Sequence, residues 1–247
     1  MGDLVNWLID QQYCRVAGGA RRRRFIVCGR FNRLSSTEEV GGRFSVEPLP
    51  EAGVIEFNIA PTQPVPVIIE SAGRRMIMCR WGLVPGWAKD TSMTGRLINA
   101  RAETLAEKPS FREALASRRC LVPASGFYEW PKRGDLAGKI VEVRRRDGEM
   151  FAFAGLWEEW RSSQVAGETG EGGVLVVRTF TIITVPPNDL ISPYHDRMPA
   201  ILSREDEAAW IGRSTRVEEL GRLLRGYSPD ELEVVAVSRE RLTGGKS

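Results

Sequence analysis

The sequence predicts an α+β fold: a single domain with a strand-rich core and short peripheral helices. Most apolar residues fall in short runs with strand-like alternation, separated by Gly, Pro and Ser turns. Only a few stretches have helical periodicity, and they do not alternate with the strands as a parallel βαβ sheet requires. A chain of 247 residues is long enough to bury one large core.

Strands are predicted where β-branched and aromatic residues cluster between turn signals. Residues 120–130, CLVPASGFYEW, indicate a strand, a bend and a second strand. The other strands are predicted at 65–69, 76–84, 174–185 and 232–238.

Two connections between strands have a clear composition. Asp147-Gly148 is a favoured two-residue turn, and apolar residues alternate on both sides of it. This pattern predicts a β-hairpin between 141–143 and 151–153. The stretch 162–173 is rich in Gly, Ser and Glu, so we expect a mobile loop there.

Three short helices are predicted. Ser110 and Glu113 have the spacing of a capping box, which indicates a helix that begins there and ends near Ser117. Ser203, followed three residues later by an aspartate, predicts the start of a second helix. Residues 217–226 are helical in composition.

The bulk composition excludes several classes of protein. Hydrophobic residues make up 42% of the chain and charged residues 27%, as in ordinary globular proteins. A single histidine argues against a His-rich metal site, and no apolar run reaches the roughly 20 residues of a membrane helix. Four cysteines without a CxxC pair predict a reducing, cytoplasmic compartment; they are Cys14, Cys28, Cys79 and Cys120.

The net positive charge is small, but the arginines are clustered along the sequence. The net charge is only +3, yet arginines form runs at 21–24, 118–119 and 144–146. Phosphate binding depends on local positive potential, so each run is a candidate nucleic-acid contact. The alternative for each run is solvated surface charge.

Five polar residues lie in segments that are otherwise apolar or turn-like. Each alone has a structural explanation, but together they supply a nucleophile, a carboxylate and a group that titrates near neutral pH. This set suits a cysteine hydrolase, or carbonyl chemistry in which an amine or thiol attacks an aldehyde. The five are Cys28, Asn99, Arg101, Glu129 and His195.

Seven sequence blocks follow one another along the chain: CGRF, NIAPTQPVPVI, RWGLVPGWAKD, INARAET, RCLVPASGFYEW, FAGLWE and HDRMPAIL. In this order they resemble the SOS-response-associated peptidase (SRAP) family. The resemblance implies a SRAP domain at 28–238, preceded by an extension at 1–27 and followed by a flexible tail at 239–247. It also implies a bacterial cytoplasmic protein, associated with the nucleoid during DNA damage, that senses and shields abasic sites in single-stranded DNA.

The resemblance further implies a covalent mechanism. Family members expose an N-terminal cysteine whose α-amine and thiol form a thiazolidine with the ring-opened sugar, so Cys28 would supply both nucleophiles. By the same resemblance, Glu129 transfers protons in forming and reversing the crosslink, His195 assists ring opening, and Asn99 holds the cysteine terminus. This chemistry is lyase-like, beside the autopeptidase activity in the family's name.

The family pattern also implies the binding partner. DNA contacts are implied at the positions of this sequence that match the family's groove and backbone-binding residues, with Trp81 stacking on a base: Arg30, Pro61, Trp81, Arg101, Thr184 and Arg197. No metal or organic cofactor is implied, and we expect a monomer.

The start of the chain departs from the family pattern, in which the cysteine follows the initiator methionine. Here Val27 precedes Cys28, so the Cys28 nitrogen is an amide that cannot form an imine. We expect Val27 to be the true initiator, read as Met and removed. Proteolysis after Val27 is the second explanation, and a member that binds without crosslinking is the third.

Two other functions stay open at this point. A cysteine peptidase acting on proteins in trans would need the thiol but not abasic DNA. A non-covalent single-strand-binding module would use the arginines and aromatic residues, but not Cys28, and its binding would be salt-sensitive.

Overall fold

A computed structural model describes residues 13–14, 22–23, 29–49, 55–166 and 172–244. The strands are β1 Tyr13–Cys14, β2 Arg22–Arg23, β3 Arg30–Arg33, β4 Glu56–Ile59, β5 Pro64–Glu70, β6 Arg74–Trp81, β7 Asn99–Arg101, β8 Arg119–Ala124, β9 Gly126–Glu129, β10 Ile140–Arg145, β11 Phe151–Ala166, β12 Gly172–Val185, β13 Met198–Pro199, β14 Ile201–Leu202 and β15 Leu232–Val237. The α-helices are α1 Thr37–Phe44, α2 Pro109–Ser117, α3 Arg204–Ile211 and α4 Val217–Leu220. This content confirms the predicted strand-rich α+β fold with short helices.

The main strands form two sheets. A five-stranded sheet has the order β15-β10-β9-β3-β4. In the larger sheet, β12, β6, β5, β8 and β11 pair in sequence, and β11 pairs again with β12. These five strands therefore close into a ring, which leaves few open edges in this sheet.

An aromatic cluster joins the two sheets. Phe31 of the five-stranded sheet contacts Trp81 and Phe153 of the larger sheet edge-to-face, with centroid distances of 5.2 and 5.7 Å. Phe127 packs on Phe153 at 6.1 Å, and Trp81 stacks on Phe180 at 6.2 Å. All five side chains are fully buried. Burial of this size stabilises a fold by about 1.5–3 kcal/mol per side chain, so the cluster fixes how the sheets pack.

The predicted strand, bend and strand at 120–130 are confirmed. β8 lies in the larger sheet and β9 in the five-stranded sheet, and the bend at Ser125 passes the chain from one to the other. The four other predicted strands also form, but the one at 76–84 ends at Trp81. Gly82 has φ of +121°, and a Cβ there would lie 2.4 Å from the nitrogen of Gly95. Position 82, where the chain leaves the sheet, therefore requires a glycine.

The predicted hairpin around Asp147-Gly148 is wrong. The chain does reverse there, since Gly148 has φ of +76° and its N–H donates to the carbonyl of Arg145 at 3.2 Å. However, β10 pairs with β9 and β15, whereas β11 pairs with β8, β12 and β14. The turn residues determine only that the chain reverses. They do not determine which strands pair, because that depends on the sheet in which each strand is buried.

The capping box predicted at 110–113 is also wrong. Pro109 occupies the first turn of α2 and Lys108 is its N-cap, without a side-chain hydrogen bond. The capping box lies instead at the start of α1, which the sequence analysis missed. There the Glu39 N–H donates to Ser36 Oγ at 3.2 Å, and the Ser36 N–H donates to Glu39 Oε2 at 2.7 Å.

Other helix and loop boundaries shift modestly. α3 begins after Ser203 as predicted, although the serine hydroxyl makes no capping bond, and α4 covers only the first turn of 217–226. The mobile loop predicted at 162–173 is wrong at both ends, because β11 continues to Ala166 and β12 begins at Gly172.

The flexible tail predicted from 239 is wrong for its first residues. A short 3-10 helix spans Glu240–Thr243, and Leu242 is buried. The guanidinium of Arg241 lies over the ring of Phe57 at 5.9 Å. These contacts hold the segment against β4.

Candidate functional site

β7 places two of the predicted site residues beside the end of β12. Asn99 and Arg101 are its first and last residues, and they lie opposite Ile182 and Thr184 in a parallel pairing. The Ile182 N–H also donates to the carbonyl of Ile98 at 3.0 Å. Asn99 is half-buried and Arg101 is exposed. The short strand therefore holds an amide and a cation at a fixed register.

Trp81 supports this strand from inside the core. Its side chain is fully buried, and its Nε1–H donates to the carbonyl of Ile98 at 2.9 Å, one residue before Asn99. The prediction that Trp81 stacks on a base is therefore wrong, because Phe31, Phe180 and other core atoms cover the ring. The residue instead fixes the start of β7.

Arg197 connects three parts of the site. Its guanidinium binds Glu103 through both nitrogens, at 2.5 and 2.9 Å, and donates to the carbonyl of Thr184 at 2.5 Å. The side chain is only 12% exposed. Thr184 is itself buried, and its hydroxyl lies 3.5 Å from the carbonyl of Ala100. Arg197 thus ties the turn after β7 to the end of β12.

His195 lies in the turn just before β13. Its Nδ1 accepts a hydrogen bond from the backbone N–H of Arg197 at 3.1 Å, so the neutral ring carries its proton on Nε2. Burial lowers the pKa of His195; nearby Lys132 and Arg133 lower it further, while Asp196 opposes them. The imidazole is accordingly neutral at neutral pH.

Glu129 ends β9 and is buried, opposite Val141. The segment that follows it reaches the His195 turn. A Cβ built on Gly134 would lie 3.6 Å from the ring of Tyr194, and the charge of Lys132 acts on His195. This packing links the strand of Glu129 to the turn that carries the histidine.

Arg30 and Pro61 come from the five-stranded sheet and the turn beside it. Arg30 lies opposite Tyr128, is 7% exposed and donates to Asn58 Oδ1 at 3.1 Å. Burial lowers its pKa. Pro61 is half-buried in the turn after β4. Cys28, two residues before Arg30, lies outside the described residues.

Two exposed residues with a possible binding or positioning role were not predicted. Trp87 is 60% exposed and follows a Pro-Gly turn in the same sequence block as Trp81. The signal was available: Trp81 ends an alternating strand, whereas a residue after Pro85-Gly86 lies outside that alternation. Glu103 is the second, and its partner Arg197 could not be identified from sequence spacing.

The arginine run 118–119 has a structural role. Arg119 is 4% exposed and donates to the carbonyls of Leu115, Ala116, Trp210 and Gly212 at 2.5–2.9 Å. It therefore joins the ends of α2 and α3. Its neighbour Arg118 pairs with buried Glu158 at 2.7 Å.

The run 144–146 lies at the end of β10 and in the turn that follows it. Arg144 pairs with Glu233 at 2.7 Å, and Arg145 pairs with Asp147. Of the run 21–24, only Arg22 and Arg23 are described, in β2. Arg119 is buried and cannot reach a phosphate, whereas Arg118, Arg144 and Arg145 have carboxylate partners in this structure.

The remaining cysteines, possible metal ligands and helices of the described residues also bear on the function. Cys79 and Cys120 are buried free thiols, and burial raises the pKa of both, so neither is a reactive thiolate. Within the described ranges, no group of three His, Cys, Asp or Glu side chains could hold a metal ion. In that same part of the chain, no helix has the length and apolar character to cross a membrane.

Solved structures and known sequences give a consistent match. A protein from Bacteroides thetaiotaomicron has a similar fold, with a TM-score of 0.77 and 26% identity over 89% of this chain and 95% of that one. Abasic site processing protein YoqW of Bacillus subtilis is 43% identical over 217 residues, covering 86% of this chain and 92% of YoqW. Abasic site processing protein YobE of the same organism is 42% identical, covering 86% of this chain and 94% of YobE.

The family model described as SOS response associated peptidase (SRAP) matches residues 27–241. This range includes every predicted site residue. The chain therefore belongs to the SRAP family.

Proposed function

We propose that this protein captures abasic sites in single-stranded DNA through a covalent bond to Cys28. The observation that carries the proposal is the 43% identity to a protein named for abasic site processing, over 92% of that protein. The arrangement of Asn99, Arg101, His195 and Arg197 around the end of β12 supports it. These groups offer hydrogen bonds, positive charge and a neutral imidazole in one place.

The proposed reaction balances without any oxidant or cofactor. The α-amine of Cys28 attacks the aldehyde carbon of the ring-opened sugar, and the carbinolamine loses one water to give an imine. The thiol sulfur then bonds to the imine carbon, and the thiol proton passes to the nitrogen. The product is a thiazolidine. Its second step is intramolecular, so ring closure costs little entropy.

This reaction requires a free α-amine on Cys28. Such an amine has a pKa of about 7.7–8.0, so it is partly neutral and nucleophilic at cytosolic pH. In the 247-residue chain the same nitrogen is an amide to Val27. We therefore propose that the active form begins at Cys28, through initiation at Val27 or proteolysis after it. The family match, which starts at residue 27, supports this boundary.

Glu129 and His195 are the proposed proton carriers. A buried carboxylate can take a proton from the attacking amine and return it to the departing water. The neutral His195 can donate from Nε2 to the ring oxygen of the sugar as the ring opens, because its Nδ1 is held as an acceptor. Asn99 is proposed to hold the Cys28 terminus.

The DNA strand is proposed to bind to exposed cationic and aromatic groups. Arg101 can contact a phosphate directly, and Trp87 offers a ring on which a base can stack. Phosphate contacts position the strand, while the chemistry at Cys28 selects the abasic site.

The test uses protein that begins at Cys28 and a single-stranded oligonucleotide with one abasic site. A heat-stable, slower band on a denaturing gel is expected, and Cys28→Ala should abolish it. Cys28→Ala and Cys28→Ser both keep the α-amine, so each should give an adduct only after borohydride reduction of the imine. Glu129→Gln should slow adduct formation at least tenfold, because proton transfer contributes about 10²–10⁴-fold.

The 247-residue protein, with Val27 still attached, is the matched control and should form no adduct. An adduct from that protein, verified by intact mass to retain residue 27, would overturn the proposed aminothiol chemistry. Absence of any adduct together with thiol-dependent cleavage of peptides would indicate a peptidase acting in trans.

A further inference from the structure

Glu103 lies between two arginines of the site and has no role in the proposed reaction. It belongs to a 3-10 turn, Ala102–Thr104, that directly follows β7. Both of its carboxylate oxygens accept hydrogen bonds from Arg197, at 2.5 and 2.9 Å. The charge of Arg101 also acts on it.

The carboxylate is ionised at neutral pH. The hydrogen bond from Arg197 lowers the pKa of Glu103, and the charges of Arg197 and Arg101 lower it further, against a smaller opposing effect of burial. One negative charge therefore faces two positive ones. The three side chains together keep a net positive charge, but Glu103 already neutralises Arg197.

The two partners of this ion pair differ in freedom. The side chain of Arg197 is 12% exposed, and the carbonyl of Thr184 holds it at 2.5 Å. The side chain of Glu103 is 48% exposed. Glu103 can therefore swing into solvent while the guanidinium stays in place.

A guanidinium binds a carboxylate and a phosphate with the same two-pronged geometry. We propose that Glu103 occupies a phosphate-binding position on Arg197, and that a phosphodiester of the DNA strand replaces it. This inference rests on the proposed function, because it takes the strand to pass Arg101 and Arg197. Glu103 then lowers the non-covalent affinity for undamaged strands, which leaves covalent capture to select the abasic site.

The opposite role for Glu103 is orientation of Arg197. In that case, removing its charge would misplace the guanidinium and weaken DNA binding. The two roles predict changes of opposite sign, so one substitution separates them.

The experiment measures binding of an undamaged fluorescent single-stranded oligonucleotide by anisotropy, from 50 to 300 mM salt, with protein beginning at Cys28. Glu103→Gln should bind about five- to tenfold more tightly than wild type, the size expected for one freed charge contact. The slope of log Kd against log salt should steepen by about 0.7, as for one added phosphate contact on a single strand. Equal or weaker binding by Glu103→Gln would overturn the proposal.

Two further variants make the result specific. Glu219→Gln removes the same charge from an exposed Arg216–Glu219 pair on α4, and should change affinity less than twofold. In Glu103→Gln combined with Arg197→Gln, the gain should vanish, because the freed guanidinium is absent. A gain that persists in the double variant would contradict the role of Arg197.

Covalent capture is measured in parallel, so that the two proposals fail separately. If wild type forms the abasic adduct but Glu103→Gln shows no gain, the role of Glu103 is wrong and the proposed function stands. If no adduct forms but Glu103→Gln still gains affinity through Arg197, the phosphate position stands and covalent capture is wrong. Equal melting temperatures for wild type and Glu103→Gln would confirm that both proteins are folded.

Discussion

The backbone N–H of Arg197 donates to Nδ1 of His195 at 3.1 Å, while Asp196 Oδ1 lies 2.9 Å from the same nitrogen. These contacts favour opposite protonation states. Neutral Nδ1 accepts from Arg197, whereas protonated Nδ1 donates to Asp196. Burial lowers the pKa of His195, so the ring is neutral at neutral pH. In the neutral ring, the Arg197 N–H favours the tautomer with its proton on Nε2. The ring can therefore gain a proton with a partner already in place.

The free energy of unfolding should decrease as the pH is lowered, because of His195. The pKa of His195 is lower in the folded protein than its usual 6.5, so the unfolded chain binds the proton first as pH falls. Its contribution is complete above pH 6.5 and is lost as pH falls through the folded pKa. Urea unfolding at pH 7.5 and 5.0 should show a smaller stability loss in His195→Gln than in wild type. An equal loss in both proteins would show that His195 does not titrate differently on folding.

Trp87→Ala should weaken DNA binding without destabilising the fold. The ring is 60% exposed, so its removal should change the free energy of unfolding by about 0.5 kcal/mol or less. Loss of one base-stacking ring costs about 1–3 kcal/mol of binding, which anisotropy with a single-stranded oligonucleotide can measure. Unchanged affinity would exclude Trp87 as a stacking residue. Val217→Ala, at another exposed apolar position on α4, is the control.

Trp81→Phe should destabilise the fold and leave DNA binding almost unchanged. It removes the Nε1–H bond to Ile98 and leaves that space only partly filled, at a cost of about 2–4 kcal/mol in unfolding free energy. Crosslinking should slow because β7 then holds Asn99 less firmly, while affinity for an undamaged strand should change little. A loss of affinity larger than that of Trp87→Ala would restore Trp81 as a DNA contact.

Arg119→Met should be among the most destabilising substitutions in the chain. It leaves four backbone carbonyls at the ends of α2 and α3 without their donor, at a cost of about 3 kcal/mol or more. In a protein of this size that lowers Tm by about 6–12 °C. Arg112→Met, at an exposed position of α2, should shift Tm by less than about 2 °C. Similar shifts in both variants would refute the structural role of Arg119.

The individual strands were predictable because each is a compact run between turn residues. The pairing of these strands was not predicted correctly. Asp147-Gly148 does reverse the chain, but β10 and β11 then enter different sheets. A turn is a local property, whereas the choice of sheet depends on contacts with strands far away in sequence. The capping box at Ser36–Glu39 is a different case, because it is a local Ser-x-x-Glu motif that the sequence itself contains.

The site residues were predictable where sequence blocks carry the family pattern, but their exposure was not. Trp81 and Trp87 share one block, yet one is fully buried and the other is 60% exposed. Likewise, Arg118 and Arg119 look like a phosphate-binding pair in sequence, although both are occupied by protein partners. Whether a polar or aromatic side chain is available to a ligand depends on which sheet and loop cover it.

The division of the site between the two sheets has a consequence for engineering this protein. Glu129 and Arg30 belong to one sheet, while Asn99, Arg101 and Thr184 belong to the other, and the packing of Phe31, Phe127 and Phe153 sets the angle between them. A conservative exchange among these rings, far from any reacting atom, would rotate the carboxylate relative to the amide. Under the proposed mechanism, such interior exchanges would change the rate of adduct turnover while every reactive side chain stays as it is.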